Sequence, residues 1–351
     1  MSLSIGIIGL PNVGKSTLFN ALLKKAKANV SNYPFCTIEP NVGIVEVPDS
    51  RLEQIANSLG LSKKIPAPVK FIDIAGLVKD AHKGEGLGNQ FLAHIRECDA
   101  IAHIVRFFEN PNITHIPGKV DPKNDIETVN LELILKDLEI TEKAIKKSRS
   151  TTLEKIKKSL EEGKAVSGID LSKKEKEAIV DLSFLTAKPT LYVGNVDEKE
   201  IKSGKLTLQL GSVQTLDNLQ LIPISAKLEA ELSEFSDKEA KEYLESLGVK
   251  ERGLDRVIKA AYNLLDLITF YTLTADQVQA WPIKKNAKAQ EAAGEIHTDF
   301  ARGFIAAEVI NWEKLIEIGN WHQVKEKGLV RTEGKDYIVQ DGDVVLFKAN
   351  V

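Results

Sequence analysis

Cysteine is too scarce in this chain for a disulfide framework: 351 residues carry two, Cys36 and Cys98. Two thiols cannot build a disulfide framework, and the reading they support is reduced side chains in a cytoplasmic protein. Neither sign of charge prevails. A formal net charge of −3 gives no global basic field, so any RNA contact must come from a local patch. Apolar runs of membrane-crossing length are missing as well, so no spanning helix is predicted, and no membrane partner is expected. The first strand starts within five residues of Met1, which leaves no room for a signal peptide. The remaining composition is that of an ordinary globular protein, and the length allows two or three domains with a sizeable core.

What the chain does have is a phosphate loop. Gly9-Leu10-Pro11-Asn12-Val13-Gly14-Lys15-Ser16-Thr17 fits Gly-x4-Gly-Lys-Ser. Ile5, Ile7 and Ile8 precede it as a buried strand, and Leu18, Phe19, Ala21, Leu22 and Leu23 follow it at helical spacing. Polyphosphate is dense in charge and must be held without steric clash. Glycines let the main chain approach, successive N–H groups of Asn12, Val13, Gly14 and Thr17 form a nest, and the helix amino end adds positive partial charge. Lys15 supplies an ammonium to the outer phosphates, and the Ser16 hydroxyl suits Mg²⁺. Asn12 offers a ligand for K⁺ between loop and phosphates.

The loop of residues 29–41 ends in a strand around Ile44–Val47, and Thr37 within it offers a second hydroxyl to Mg²⁺. Val69–Ile74 reads as a strand that ends in Asp73-Ile74-Ala75-Gly76. The aspartate can hold Mg²⁺ through water, and the Gly76 N–H can report the γ-phosphate. Leu77 stands where many switch GTPases carry the glutamine that orients the attacking water, and leucine cannot do that. Among the histidines, His103 lies inside an apolar strand and reads as core, and His94 as helix surface. His82 and His115 sit in loops that can touch nucleotide or water; His115 is the candidate water positioner.

Residues 119–185 change character. The apolar positions Ile126, Val129, Leu133, Leu138, Ile145, Leu153, Ile156 and Leu160 predict one long helix, with a turn at Gly163–Gly168. Ser172 and Glu175 form a capping box that opens a second helix. The pair reads as an inserted antiparallel hairpin with a basic tip, a solvated helix face or a phosphate-backbone contact. The sheet then resumes at Thr190–Asn195. Asn195-Val196-Asp197-Glu198 stands where guanine-specific enzymes carry Asn-Lys-x-Asp. The apolar cover of the lysine stem is lost, and the longer Glu198 misplaces the acceptor that pairs with guanine, so ATP should be accepted at least as well as GTP. Ser225-Ala226-Lys227 follows a further strand and lays backbone N–H groups against the base. From Leu267 a small α+β unit begins, and His297-Thr298-Asp299-Phe300 is its most polar cluster.

These stretches resemble, in order, the Obg-like ATPase family, also called YchF: the phosphate loop, Asn32-Tyr33-Pro34-Phe35-Cys36-Thr37-Ile38, Asp73-Ile74-Ala75-Gly76-Leu77-Val78, Asn195-Val196-Asp197-Glu198 and Ser225-Ala226-Lys227. His297–Phe300 is similar to part of the TGS domain that closes those proteins. Asp80, where the family pattern has glycine, and the lysine-rich Pro282–Lys288 depart from it. The resemblance implies an α/β fold: a P-loop NTPase domain over 1–118 and 186–266, a helical hairpin over 119–185 and a β-grasp TGS domain over 267–351. It further implies Mg²⁺-dependent hydrolysis of ATP in preference to GTP, and association with the ribosome or its large subunit and rRNA through the hairpin and TGS domain, by a monomeric protein. A GTP-specific ribosome-associated GTPase, and a binding module for which nucleotide is only a structural ligand, stand as alternatives.

Overall fold

A computed structural model describes residues 3–28, 41–74, 94–113, 120–203 and 221–350. Two six-stranded sheets organise them. In the first, strands β1 (Ser4–Ile8), β2 (Val42–Glu46), β4 (Pro68–Asp73), β5 (Ala100–Arg106), β6 (Thr190–Asn195) and β7 (Leu221–Ile224) lie in the order β2-β4-β1-β5-β6-β7. All neighbours are parallel except β2 on β4. β1 and β5 are buried at every position, as expected of strands covered on both faces. Helix α1 (Lys15–Ala28) leaves the carboxyl end of β1, and that end of the sheet is where ligands bind in open α/β folds.

His103 belongs to this core. It is 1% exposed and lies 5.4 Å from the Tyr192 ring. Burial pushes its pKa down from 6.5 to about 3. Between those values the unfolded chain takes a proton that the folded chain refuses, so stability rises with pH through the window and is complete above 6.5. Chemical denaturation at pH 7.5 and pH 5 should show the wild type losing about 2 kcal/mol more than His103→Gln on acidification; parallel losses would refute this.

The inserted segment is helical, but its turn lies elsewhere than the apolar spacing predicts. Helix α3 (Pro122–Lys147) stops at Ser148, and α4 (Thr151–Glu161) runs back along it. Ser148 and Ser150 are both extended, and Ser148–Ser150 breaks the hydrogen-bond ladder although Ile145 and Leu153 are in helical phase. Ile134, Ile156, Leu160, Val166, Leu171 and Phe184 form a separate small core. Asp137, fully buried, closes the insertion by accepting the Leu185 and Thr186 N–H groups at 2.8 Å each and the Thr186 hydroxyl at 2.7 Å. At the tip, Arg149 pairs with Glu154 and Lys157 with Glu142, so part of its basic charge is balanced internally.

In the second sheet, β3 (Lys63–Ile65), β8 (Leu267–Leu273), β9 (Gln277–Lys284), β10 (Phe304–Asn311), β11 (Arg331–Glu333) and β12 (Asp343–Ala349) take the order β11-β10-β12-β8-β9-β3. The outer strand β3 comes from the first half of the chain and pairs in parallel with β9. Helix α2 (Ser50–Leu59) packs on the helix Trp312–Ile318, and one apolar core runs through both sheets. His297 caps the short helix Thr298–Arg302 by accepting the Asp299 N–H at 3.2 Å, and Lys288 pairs with Asp336. Both uses are structural.

Candidate nucleotide-binding site

The phosphate loop leaves β1 and turns through two residues in the left-handed region, Asn12 at φ 63° and Gly14 at φ 93°. A nest of main-chain N–H groups needs such alternation. Gly9 serves a different contact: a Cβ there would lie 2.7 Å from the Ile104 carbonyl oxygen, so glycine seats the loop against β5. Lys15 opens α1, and its ammonium lies 2.5 Å from Asp73 Oδ1 at the end of β4. The lysine assigned to phosphate and the carboxylate assigned to Mg²⁺ are thus neighbours. Ser16 and Thr17 are exposed on the first turn. The donors at hand are oxygens, the Ser16 hydroxyl and the Asp73 carboxylate, which suits a hard cation. Among the described residues no cluster of three or more His, Cys, Asp or Glu side chains could hold a metal. A sparse oxygen set fits Mg²⁺, which keeps waters and phosphate oxygens in its shell.

Asn195 ties the site together. It ends β6, is 6% exposed, donates from Nδ2 to the Val13 carbonyl at 2.9 Å and accepts the Ala226 N–H on Oδ1 at 2.9 Å. Its own carbonyl accepts the Phe107 and Phe108 N–H groups. The sequence assigns Asn195 to the base; its amide is spent on protein, joining the phosphate loop to the 225–227 turn. Val196 is buried behind it, with its N–H on the Ile224 carbonyl. Ser225 caps the helix Ala226–Leu232 through the Leu228 N–H. The Lys227 side chain is 80% exposed and lies 3.9 Å from Glu231 Oε1, a surface ion pair at the cleft. Glu198 opens the helix Glu198–Ser203.

Asn12, Gly14, Lys15, Ser16, Thr17, Asn195, Val196, Glu198, Ser225, Ala226 and Lys227 line one cleft of about 1370 Å³; Gly9, Val13 and Asp73 do not reach its wall. A further stretch of its wall is Phe108, Glu109, Asn110 and Ile113, a segment absent from the sequence-based assignment. Its one signal is Arg106, a charged residue ending an otherwise apolar strand. Thr37, Gly76 and His115 lie outside the described residues, as do Cys36, Leu77, Asp80 and His82.

Known proteins resemble this chain in sequence and fold. A family model described as "50S ribosome-binding GTPase" matches residues 4–143, and the YchF GTPase C-terminal model, described as a protein of unknown function, matches 267–350. The Ribosome-binding ATPase YchF of Bacillus subtilis is 48% identical over 367 aligned residues, with all of each chain covered. That of Escherichia coli O157:H7 is 48% identical over 364, again with full coverage of both. The solved structure of the Schizosaccharomyces pombe YchF GTPase superposes with a TM-score of 0.88 at 36% identity, covering 99% of this chain and 98% of that one. Sequence order, cleft and full-length similarity agree: the chain belongs to the YchF family.

Proposed function

We propose that this chain is an Mg²⁺-dependent nucleoside-triphosphatase that hydrolyses ATP and acts as a nucleotide switch on the ribosome. The observation that carries the reading is the single cleft lined by Lys15, Ser16, Val196, Glu198, Ser225 and Lys227. The Asn195 bracket holds the phosphate loop and the base loop at fixed spacing across it. Lys15 neutralises charge developing on the outer phosphates. Ser16, Thr37 and Asp73 are the residues to hold Mg²⁺, which supplies charge neutralisation at the β- and γ-phosphate oxygens when bound. Gly76 senses the γ-phosphate, His115 positions the water, and Asn12 offers a ligand for K⁺. Ribosome association rests on the names of the relatives and on the hairpin and the C-terminal domain, read as a TGS domain. Function in the cytoplasm as a monomer follows from the same reading.

The relatives' names divide between ATPase and GTPase, so nucleotide choice is the decisive test. In calorimetry with non-hydrolysable analogues, the ATP analogue should bind at least as tightly as the GTP analogue, because Val196 and Glu198 do not present guanine with its usual partners. A preference for GTP of about a hundredfold would overturn that. In single-turnover assays His115→Ala should hydrolyse ATP more slowly; an unchanged rate removes it as water positioner. A Lys15→Ala variant that keeps full ribosome binding would favour the binding-module alternative.

A further inference from the structure

Arg106 is the largest fully buried side chain in the described structure, at 1% exposure. Among the described residues no carboxylate pairs with it. Its partners are main-chain carbonyls: Nε donates to Phe108 O at 3.1 Å, Nη1 to Ile113 O at 3.2 Å, and Nη2 to Ile113 O at 3.2 Å and Asn110 O at 3.4 Å. Its Cζ lies 4.3 Å from the centroid of the Phe108 ring. A buried cation is costly to keep, and among the described residues this one is met by carbonyl oxygens alone, so the arginine is to be explained by what its donors hold.

What they hold is visible in the pairing. Arg106 lies directly opposite Asn195 in the parallel ladder of β5 and β6. Asn195 holds Val13 and Ala226 with its side chain and the Phe107 and Phe108 N–H groups with its carbonyl. Arg106 holds the carbonyls of the same 107–113 segment. The phosphate loop at Val13, the turn at Ala226 and the 107–113 segment are therefore held by one pair of facing residues. Within the segment, Asn110 Oδ1 accepts the Asn112 N–H at 2.9 Å and the Asn110 carbonyl accepts the Ile113 N–H at 3.2 Å. The chain curls around the guanidinium, and Phe108, Asn110 and Ile113 are turned to the cleft wall. A planar fork with five donors can span carbonyls five residues apart; a lysine ammonium cannot reproduce that geometry.

We infer that Arg106 is a positioning residue: through the 107–113 main chain it fixes the Phe108–Ile113 wall against the nucleoside part of a bound nucleoside triphosphate, while the phosphate loop serves the phosphates independently. The inference rests on the nucleotide-site reading given above. The alternative is a residue needed only for folding, which would affect all ligands of the cleft together. The discriminating experiment compares ATP with inorganic triphosphate, a probe that needs the phosphate loop and no base wall, by Mg²⁺-containing calorimetry on the full chain. Arg106→Lys should weaken ATP at least about tenfold and inorganic triphosphate less than about twofold. Phe108→Leu, which removes the ring under the guanidinium and leaves every carbonyl in place, should give a smaller loss of the same kind and decides the matter if Arg106→Lys does not fold. Equal losses for the two ligands, or ATP binding as tight as in the wild type for both variants, would overturn the inference and leave the nucleotide site standing. A wild type that binds neither ATP nor inorganic triphosphate would overturn both.

Discussion

Gly14→Ala should remove nucleotide binding, lowering affinity for ATP at least about a hundredfold. Two effects act together. Gly14 sits at φ 93°, where a side chain costs about 1–3 kcal/mol. The added Cβ would also stand 2.2 Å from Asn195 Nδ2 and 3.3 Å from its Cγ. The Asn195 amide cannot swing aside without cost, because it is buried and bonded at both ends, to Val13 O and the Ala226 N–H. Displacing it strands both buried groups, at about 1–3 kcal/mol each. The substitution thus breaks the bracket from the phosphate-loop side, and Asn195→Ala breaks it from the other. Acting on one contact, the two changes should not add. In a double-mutant cycle, Gly14→Ala with Asn195→Ala should bind ATP no worse than Gly14→Ala alone, since truncating the amide makes room for the new methyl. Additive losses would show that the glycine is needed for phosphate contact only, and that the bracket is incidental.

Parts of this site are legible in the sequence and parts are not, for identifiable reasons. The phosphate loop is local: its glycines, lysine and flanking apolar residues carry their meaning within a short window. His103 is likewise readable, because a polar residue in an unbroken apolar strand has to be buried. The Asn195 bracket is half legible. Its position at a strand end marks it as a site residue, but its partners Val13 and Ala226 stand on distant segments, and only the fold shows that the amide binds protein. The 107–113 wall was missed since Phe108, Glu109 and Asn110 have no pattern of their own; Arg106 organises them by donating to carbonyls, and carbonyls leave no trace in side-chain identity. The break at Ser148–Ser150 was hidden by apolar residues that stay in helical phase across it. β3 was hidden most thoroughly. Lys63-Lys64-Ile65 is too short and too charged to read as a strand, and its partner Gln277–Gln279 lies more than two hundred residues on.

That hidden strand governs the second large effect: residues 1–266 produced without the C-terminal unit should fail to give a stable folded protein, although the sequence places a domain boundary there. The seam has three layers. β3 loses its only strand partner among the described residues, β9. The apolar core loses Tyr271, Val278, Ala280, Ile310, Leu315, Val324 and Val344, which belong to the same cluster as Ile55 and Leu265. At about 1.5–3 kcal/mol for each large apolar side chain, the loss is comparable to the whole stability of an ordinary domain, about 5–15 kcal/mol. The third layer is polar. Arg51 bridges Asp49 at 2.9 Å and Asp341 at 2.7 Å, and the Tyr271 hydroxyl donates to Asp49 at 2.5 Å. Burial works to raise the Asp49 carboxyl, but the hydrogen bonds of Arg51 and Tyr271, with the Arg51 charge, hold it below the usual carboxylate range. Its contribution is complete above about pH 4 and fades only as pH falls through the depressed value, so this layer holds at every ordinary pH. Asp49 also caps α2 through the Arg51 N–H, and Asp49→Ala alone should cost about 2–4 kcal/mol. Circular dichroism and gel filtration of 1–266, 267–351 and the two co-expressed pieces test the whole seam. Aggregated or unfolded halves that assemble when co-expressed are expected. A soluble 1–266 fragment whose melting midpoint lies within a few degrees of the full chain would mean that the shared core is a contact between two independent domains.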